Sequence, residues 1–92
     1  MKSDEIYEHL KALTERLGVS FREQNLRSSG VHARSGFCIV KGKPMFLLDK
    51  HQSIRNKVEI LASWLAESEA DRINGEYIVP FIRELIEKYR QR

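Results

Sequence analysis

The chain is poor in the residues that staple or interrupt small folds. It has one cysteine, Cys38, and two prolines, Pro44 and Pro80, among 92 residues. A single cysteine forms no internal disulfide, and a secreted domain of this size ordinarily carries several. The expected setting is therefore a reducing cytoplasm. No apolar run approaches the roughly 18 residues that cross a bilayer, so no membrane partner is expected. The opening residues Met1-Lys2-Ser3-Asp4-Glu5 are charged and lack an apolar stretch, which argues against a secretory leader. Metal spacing is missing too: His9, His32 and His51 fall in three separate segments. No P-loop or dinucleotide fingerprint occurs, so no cofactor is expected.

What is present suits one folded domain over residues 1–92. Hydrophobic residues make up 41% and charged residues 32%, a balance that argues against disorder. A chain this short buries roughly 60–65% of its unfolded surface. That supports one modest core and leaves little room for a deep substrate cavity.

Hydrophobic spacing predicts a helix over 3–17, with Ser3 as its cap, Ile6, Leu10, Leu13 and Leu17 on one face, and Gly18 ending it. Val19 to Gln24 alternates and reads as a strand near a sheet edge. Residues 25–36 read as a loop rich in Ser, Gly and Arg. The apolar runs 37–40 and 45–48, joined by Lys41-Gly42-Lys43-Pro44, read as a β-hairpin. Both runs are apolar on both faces, which calls for a covering layer on each side, helical or from a partner. Ser53 is the expected cap of a second helix to about Glu69. That helix carries Leu61 and Leu65 on one stripe and Ile60 and Trp64 on another, so Trp64 is expected to be buried. Tyr77-Ile78-Val79 is extended ahead of Pro80, which opens a last helix. The predicted fold class is α+β: a three-stranded antiparallel sheet with helices packed on it, in the order α-β-β-β-α-α.

Several stretches resemble a family of small bacterial proteins with no assigned activity: Ser35-Gly36-Phe37-Cys38-Ile39-Val40-Lys41-Gly42-Lys43, then Phe46-Leu47-Leu48-Asp49-Lys50, then Lys57 to Ala62, and Tyr77-Ile78-Val79-Pro80. The resemblance covers most of the last sixty residues and implies a bacterial cytoplasmic protein. The hairpin followed by a helix is also similar in architecture to minimal zinc metallopeptidase domains. Those carry His-Glu-x-x-His, two histidines to hold zinc and a glutamate to activate water. Here Ser63 and Glu67 stand at the histidine positions and Trp64 at the glutamate position, so no metal or catalytic residue is implied.

Cys38 with His32 or His51 is the one combination that could suggest a nucleophile and a base. Cys38 lies in an apolar run, however, and reads as a core cysteine. Asp49 reads as a turn residue. Ser28-Ser29-Gly30 with Arg27 and Arg34 could cradle an anion but lacks a P-loop's spacing.

Charge is distributed unevenly. Residues 22–57 hold eight basic residues against two acidic ones, a net of +6, whereas the flanks hold eight against eleven, a net of −3. Arg34, Lys41, Lys43 and Lys50 project from loop, turn and strand end and form the candidate basic contact surface. The reading is a non-enzymatic cytoplasmic module that contacts a protein partner or a second copy of itself. The alternative is sequence-independent nucleic-acid binding through segment 22–57. A small enzyme or redox protein using Cys38 is the third reading.

Overall fold

In the computed structural model, which describes residues 1–26 and 36–91, the chain forms helix α1 (Ser3–Arg16), strands β1 (Ser20–Gln24), β2 (Gly36–Val40) and β3 (Lys43–Asp49), and helices α2 (Ile54–Ser68), α3 (Ala70–Ile73) and α4 (Pro80–Arg90). The predicted order holds, with α3 as an added single turn. Local chemistry explains most boundaries. Ser53 caps α2, its hydroxyl accepting the Asn56 N–H at 3.2 Å. Gly18, at φ +86°, ends α1 in a conformation that costs glycine little. Pro80 sits at the start of α4, where its missing N–H leaves no helical bond unmade. The expected cap of α1 differs: Lys2 takes that position, Ser3 lies inside the helix, and no side chain caps the end.

The strands order as β1-β3-β2. β2 and β3 form the predicted antiparallel hairpin, Gly36 opposite Leu47 through Val40 opposite Lys43. Its tip is the two-residue turn Lys41-Gly42, with φ +53° and +78°, the left-handed pair that matches strand twist. β1, in contrast, runs parallel to β3, Ser20 opposite Met45 through Gln24 opposite Asp49. The sheet is therefore mixed, which corrects the expectation of a purely antiparallel one. Alternation has a period of two in either direction, so it carries no information about strand polarity. The stretch between β1 and β2 is also too long for a tight hairpin, so nothing local makes those strands neighbours. Pro44 is tolerated in the central strand because β1 begins pairing one residue later, at Met45.

The register sorts side chains onto two faces. Phe21, Phe46 and Phe37 lie opposite one another across the three strands, and Glu23, Leu48 and Ile39 share their face. The helices cover this side. Phe46 and Leu48 join Leu10, Leu13, Leu61, Leu65 and Ile82 in one buried cluster. The opposite face carries Ser20, Arg22, Gln24, Cys38, Val40, Lys43, Met45 and Leu47. None of these joins the buried cluster. Among the described residues, helices therefore supply a covering layer on one face of the sheet. Trp64 is half-buried, its ring spanning from Phe46, at a centroid distance of 4.8 Å, to Phe37 at 5.6 Å.

Candidate interaction surface

β2 is an edge of the described sheet and turns apolar side chains to solvent. Phe37 is 44% exposed, Ile39 66% and Val40 42%. Val40 and Lys43 flank the two-residue turn and so form a hydrogen-bonded pair. Alternation then directs the backbone groups of Val40, Cys38 and Gly36 toward β3 and those of Phe37 and Ile39 outward. A row of unpaired N–H and C=O groups is a template for another strand. Proteins usually protect such edges with lysine, proline or bulges. Gly36–Val40 contains none of these. Beside Phe37 lies a shallow open cleft of about 390 Å³, lined by Phe37, Trp64, Ser68 and Glu69.

Of the residues read from the sequence as a basic surface, Lys41, Lys43 and Lys50 are exposed, and Arg34 lies outside the described residues. They do not form one patch. Lys41 and Lys43 stand at the hairpin tip, and Lys50 follows the other end of β3, roughly 20 Å away at strand rise. Arg22, exposed and opposite Leu47, lies between these ends on the face without helices. The alternation of Ser20 and Arg22 against Val19 and Phe21 carried its signal. All five ion pairs of the described residues use helix cations: Lys11 with Glu8, Arg16 with Glu76, Lys57 with Glu23, Arg72 with Glu69 and Arg90 with Glu87. Arg22, Lys41, Lys43, Lys50 and Arg55 have no carboxylate partner among the described residues.

A polar cluster ties β1 to the helices. The Tyr7 hydroxyl donates to Glu23 Oε2 at 2.5 Å and Lys57 Nζ donates to Glu23 Oε1 at 2.6 Å. Lys11 and Lys57 lie over the Tyr7 ring, 5.2 and 5.6 Å from its centroid. Burial pushes the Glu23 carboxyl up, but the hydrogen bonds from Lys57 and Tyr7 and the charges of Lys57 and Lys11 outweigh it and hold the group below its ordinary value. Burial, followed by the hydrogen bond and charge of Glu23 and the charge of Glu8, holds the Tyr7 phenol above its ordinary range. An ionised acid with two donors and a phenol fixed as a donor form a brace, with no reactive group left poised.

The other groups singled out in the sequence stay apart. Cys38 is a free, half-exposed thiol on the face without helices, so it is not the core cysteine expected. Asp49 is the turn residue expected: its Oδ1 accepts the His51 N–H at 3.0 Å. On α2, Ser63 and Trp64 are half-buried and Glu67 is exposed. Among the described residues no three His, Cys, Asp or Glu side chains gather as a metal site. No described helix is long and apolar enough to cross a membrane. No known protein family, curated protein or solved structure matches the chain.

Proposed function

We propose that this protein is a non-catalytic interaction module whose contact surface is the free edge of β2. One observation carries the reading: a five-residue edge strand without a charge turns Phe37, Ile39 and Val40 to solvent. Such an edge accepts an extended segment by adding it to the sheet, with main-chain bonds supplying affinity and alternate side chains supplying selectivity. The half-buried Trp64 and the cleft beside Phe37 supply a receptacle for one apolar side chain of that segment. The test is hydrogen exchange of the Phe37 and Ile39 amides with and without a synthetic heptapeptide of alternating valine and threonine. Slowed exchange at these two amides supports the reading. Unchanged exchange at both, with peptide in excess and at high protein concentration, removes it.

A second reading, sequence-independent binding to a polyanion such as nucleic acid, rests on a separate observation. Lys41 is held at φ +53° at the hairpin tip, where Asn, Asp or Gly would sit with less strain. Strained residues gather at functional sites, and Lys41 stands beside unpaired Lys43. Three or four phosphate contacts would give binding whose log affinity falls with log salt by about 0.9 per contact on duplex DNA. Fluorescence anisotropy with labelled oligonucleotides tests this. Reversal of Lys41 and Lys43 to Glu should reduce both the binding and its salt slope. Absence of binding at low salt removes the reading.

A further inference from the structure

On the basis of the edge reading above, we propose that the segment added to β2 is the β2 strand of a second copy, antiparallel about a two-fold axis through Cys38. Backbone direction selects this register. Within Gly36–Val40, Phe37 and Ile39 direct their N–H and C=O groups outward, so a productive pairing must set outward residues against outward residues. Placing Phe37 opposite the partner's Ile39, and Ile39 opposite the partner's Phe37, uses every outward group of both strands and forms four hydrogen bonds. A two-fold centred on Ile39 sets Phe37 against the partner's Lys41 in the hairpin turn, and one centred on Phe37 sets Ile39 against a position outside Gly36–Val40. A shift by one residue sets outward groups against inward ones and forms none.

The side chains fit the same arrangement. Phe37 and the partner's Ile39 fall on the helix-covered face as an aromatic and β-branched pair, a combination favoured across strands. The partner's Ile39 then lies beside the cleft of Phe37 and Trp64. No like charges meet within Gly36–Val40, which has none. Pairing β2 with β1 of another copy would instead set an apolar strand against one bearing Arg22 and Glu23. It would also leave an unsatisfied edge at each end, the geometry of an open filament. The two-fold pairing closes. The contact rests on one five-residue strand from each copy, so the dimer is a weak one that forms with rising concentration.

Cys38 reports on the register. It meets the partner's Cys38 in a non-hydrogen-bonded pair, with Cα atoms about 4.5 Å apart, within the span a disulfide bridges. The full chain is followed by sedimentation velocity from micromolar to millimolar concentration. Its oxidation by diamide, which takes up the two hydrogens of the two thiols, is followed in parallel. The expected result is a concentration-dependent dimer that diamide locks through Cys38. Ile39→Lys, at a solvent-facing position, should weaken dimerisation and slow the crosslink by roughly tenfold, as a charge placed on an edge does. Cys38→Ser should still dimerise. A chain that stays monomeric at every concentration overturns the self-pairing, and the peptide-exchange experiment then decides separately whether the edge takes another strand. A dimer indifferent to Ile39→Lys overturns both the self-pairing and the edge assignment.

Discussion

The two edges of this sheet are built in opposite ways. β1, Ser20–Gln24, carries Arg22 and Glu23, and Glu23 is stitched to α1 through Tyr7 and to α2 through Lys57. β2, Gly36–Val40, carries no charge and is held by the hairpin to β3 and by one aromatic contact, Phe37 on Trp64. The sheet's protective charges and its ties to the helices thus sit on the same edge. Both edge strands turn backbone groups outward, and on β2 no charged side chain flanks them. Protection is applied to one edge and withheld from the other, and the proposed contact rests on that difference.

Four substitutions break or sharpen this contrast. The largest effect is expected at Phe46, which joins the two edges: its ring stacks 6.2 Å from Phe21 on one side and lies against Trp64 on the other. Phe46→Ala should cost about 3–5 kcal/mol in urea unfolding, because the ring is fully buried. A loss near that of a surface change would mean the edges are anchored independently of the central strand.

Glu23→Gln tests the tied edge. Removing the charge that two donors converge on should cost about 1–2 kcal/mol at neutral pH, read from the shift in urea midpoint. The pH dependence follows from the lowered pKa of Glu23. Because the folded value lies below the unfolded one, the unfolded chain binds the proton more readily. The stabilisation is fully present above the ordinary glutamate value and is lost as pH falls from there through the folded value. The Gln variant should lack that acid-side loss. An identical acid profile in both chains would show that the cluster does not brace β1.

Lys41→Asn addresses the tip of the bare edge. Asn takes the left-handed conformation more readily than Lys, so stability should rise by about 0.5–1 kcal/mol in thermal unfolding. If polyanion binding falls at the same time, the strained lysine is retained for contact. If binding is unchanged, its charge is only solubilising.

The smallest effect is expected at Ile39. Ile39→Lys should change monomer stability by less than about 0.5 kcal/mol, since the side chain is two-thirds exposed and packs on nothing buried. A large destabilisation would show that β2 is held by contacts its exposure conceals.

The sequence carried the elements well where their signals are contiguous. Ser53, Gly18 and Pro80 mark helix ends through bonds made within a few residues. The Lys41-Gly42 turn follows from two apolar runs set close together. The basic site was legible only as a count. Lys41, Lys43 and Lys50 are neighbours in the chain, yet the rise of β3 carries Lys50 to the far end of the sheet. The β2 surface was misread for a related reason. An apolar run reads as buried, and no local signal distinguishes an interior strand from an edge strand.

The sequence by itself determined the α+β class, the three main helices and the hairpin, and the charge division between the middle segment and its flanks. Each of these depends on periodicity, turn chemistry or composition, which are properties of residues close together in the chain. Tertiary structure decided that β1 runs parallel to β3, that helices cover one face of the sheet, that Lys41 and Lys43 stand at the opposite end of β3 from Lys50, and that Phe37, Ile39 and Val40 reach solvent. These depend on which distant segments become neighbours. Alternating strand patterns permit either direction and either side, so the choice is made by the single arrangement that buries Phe46 and Leu48 against the helices.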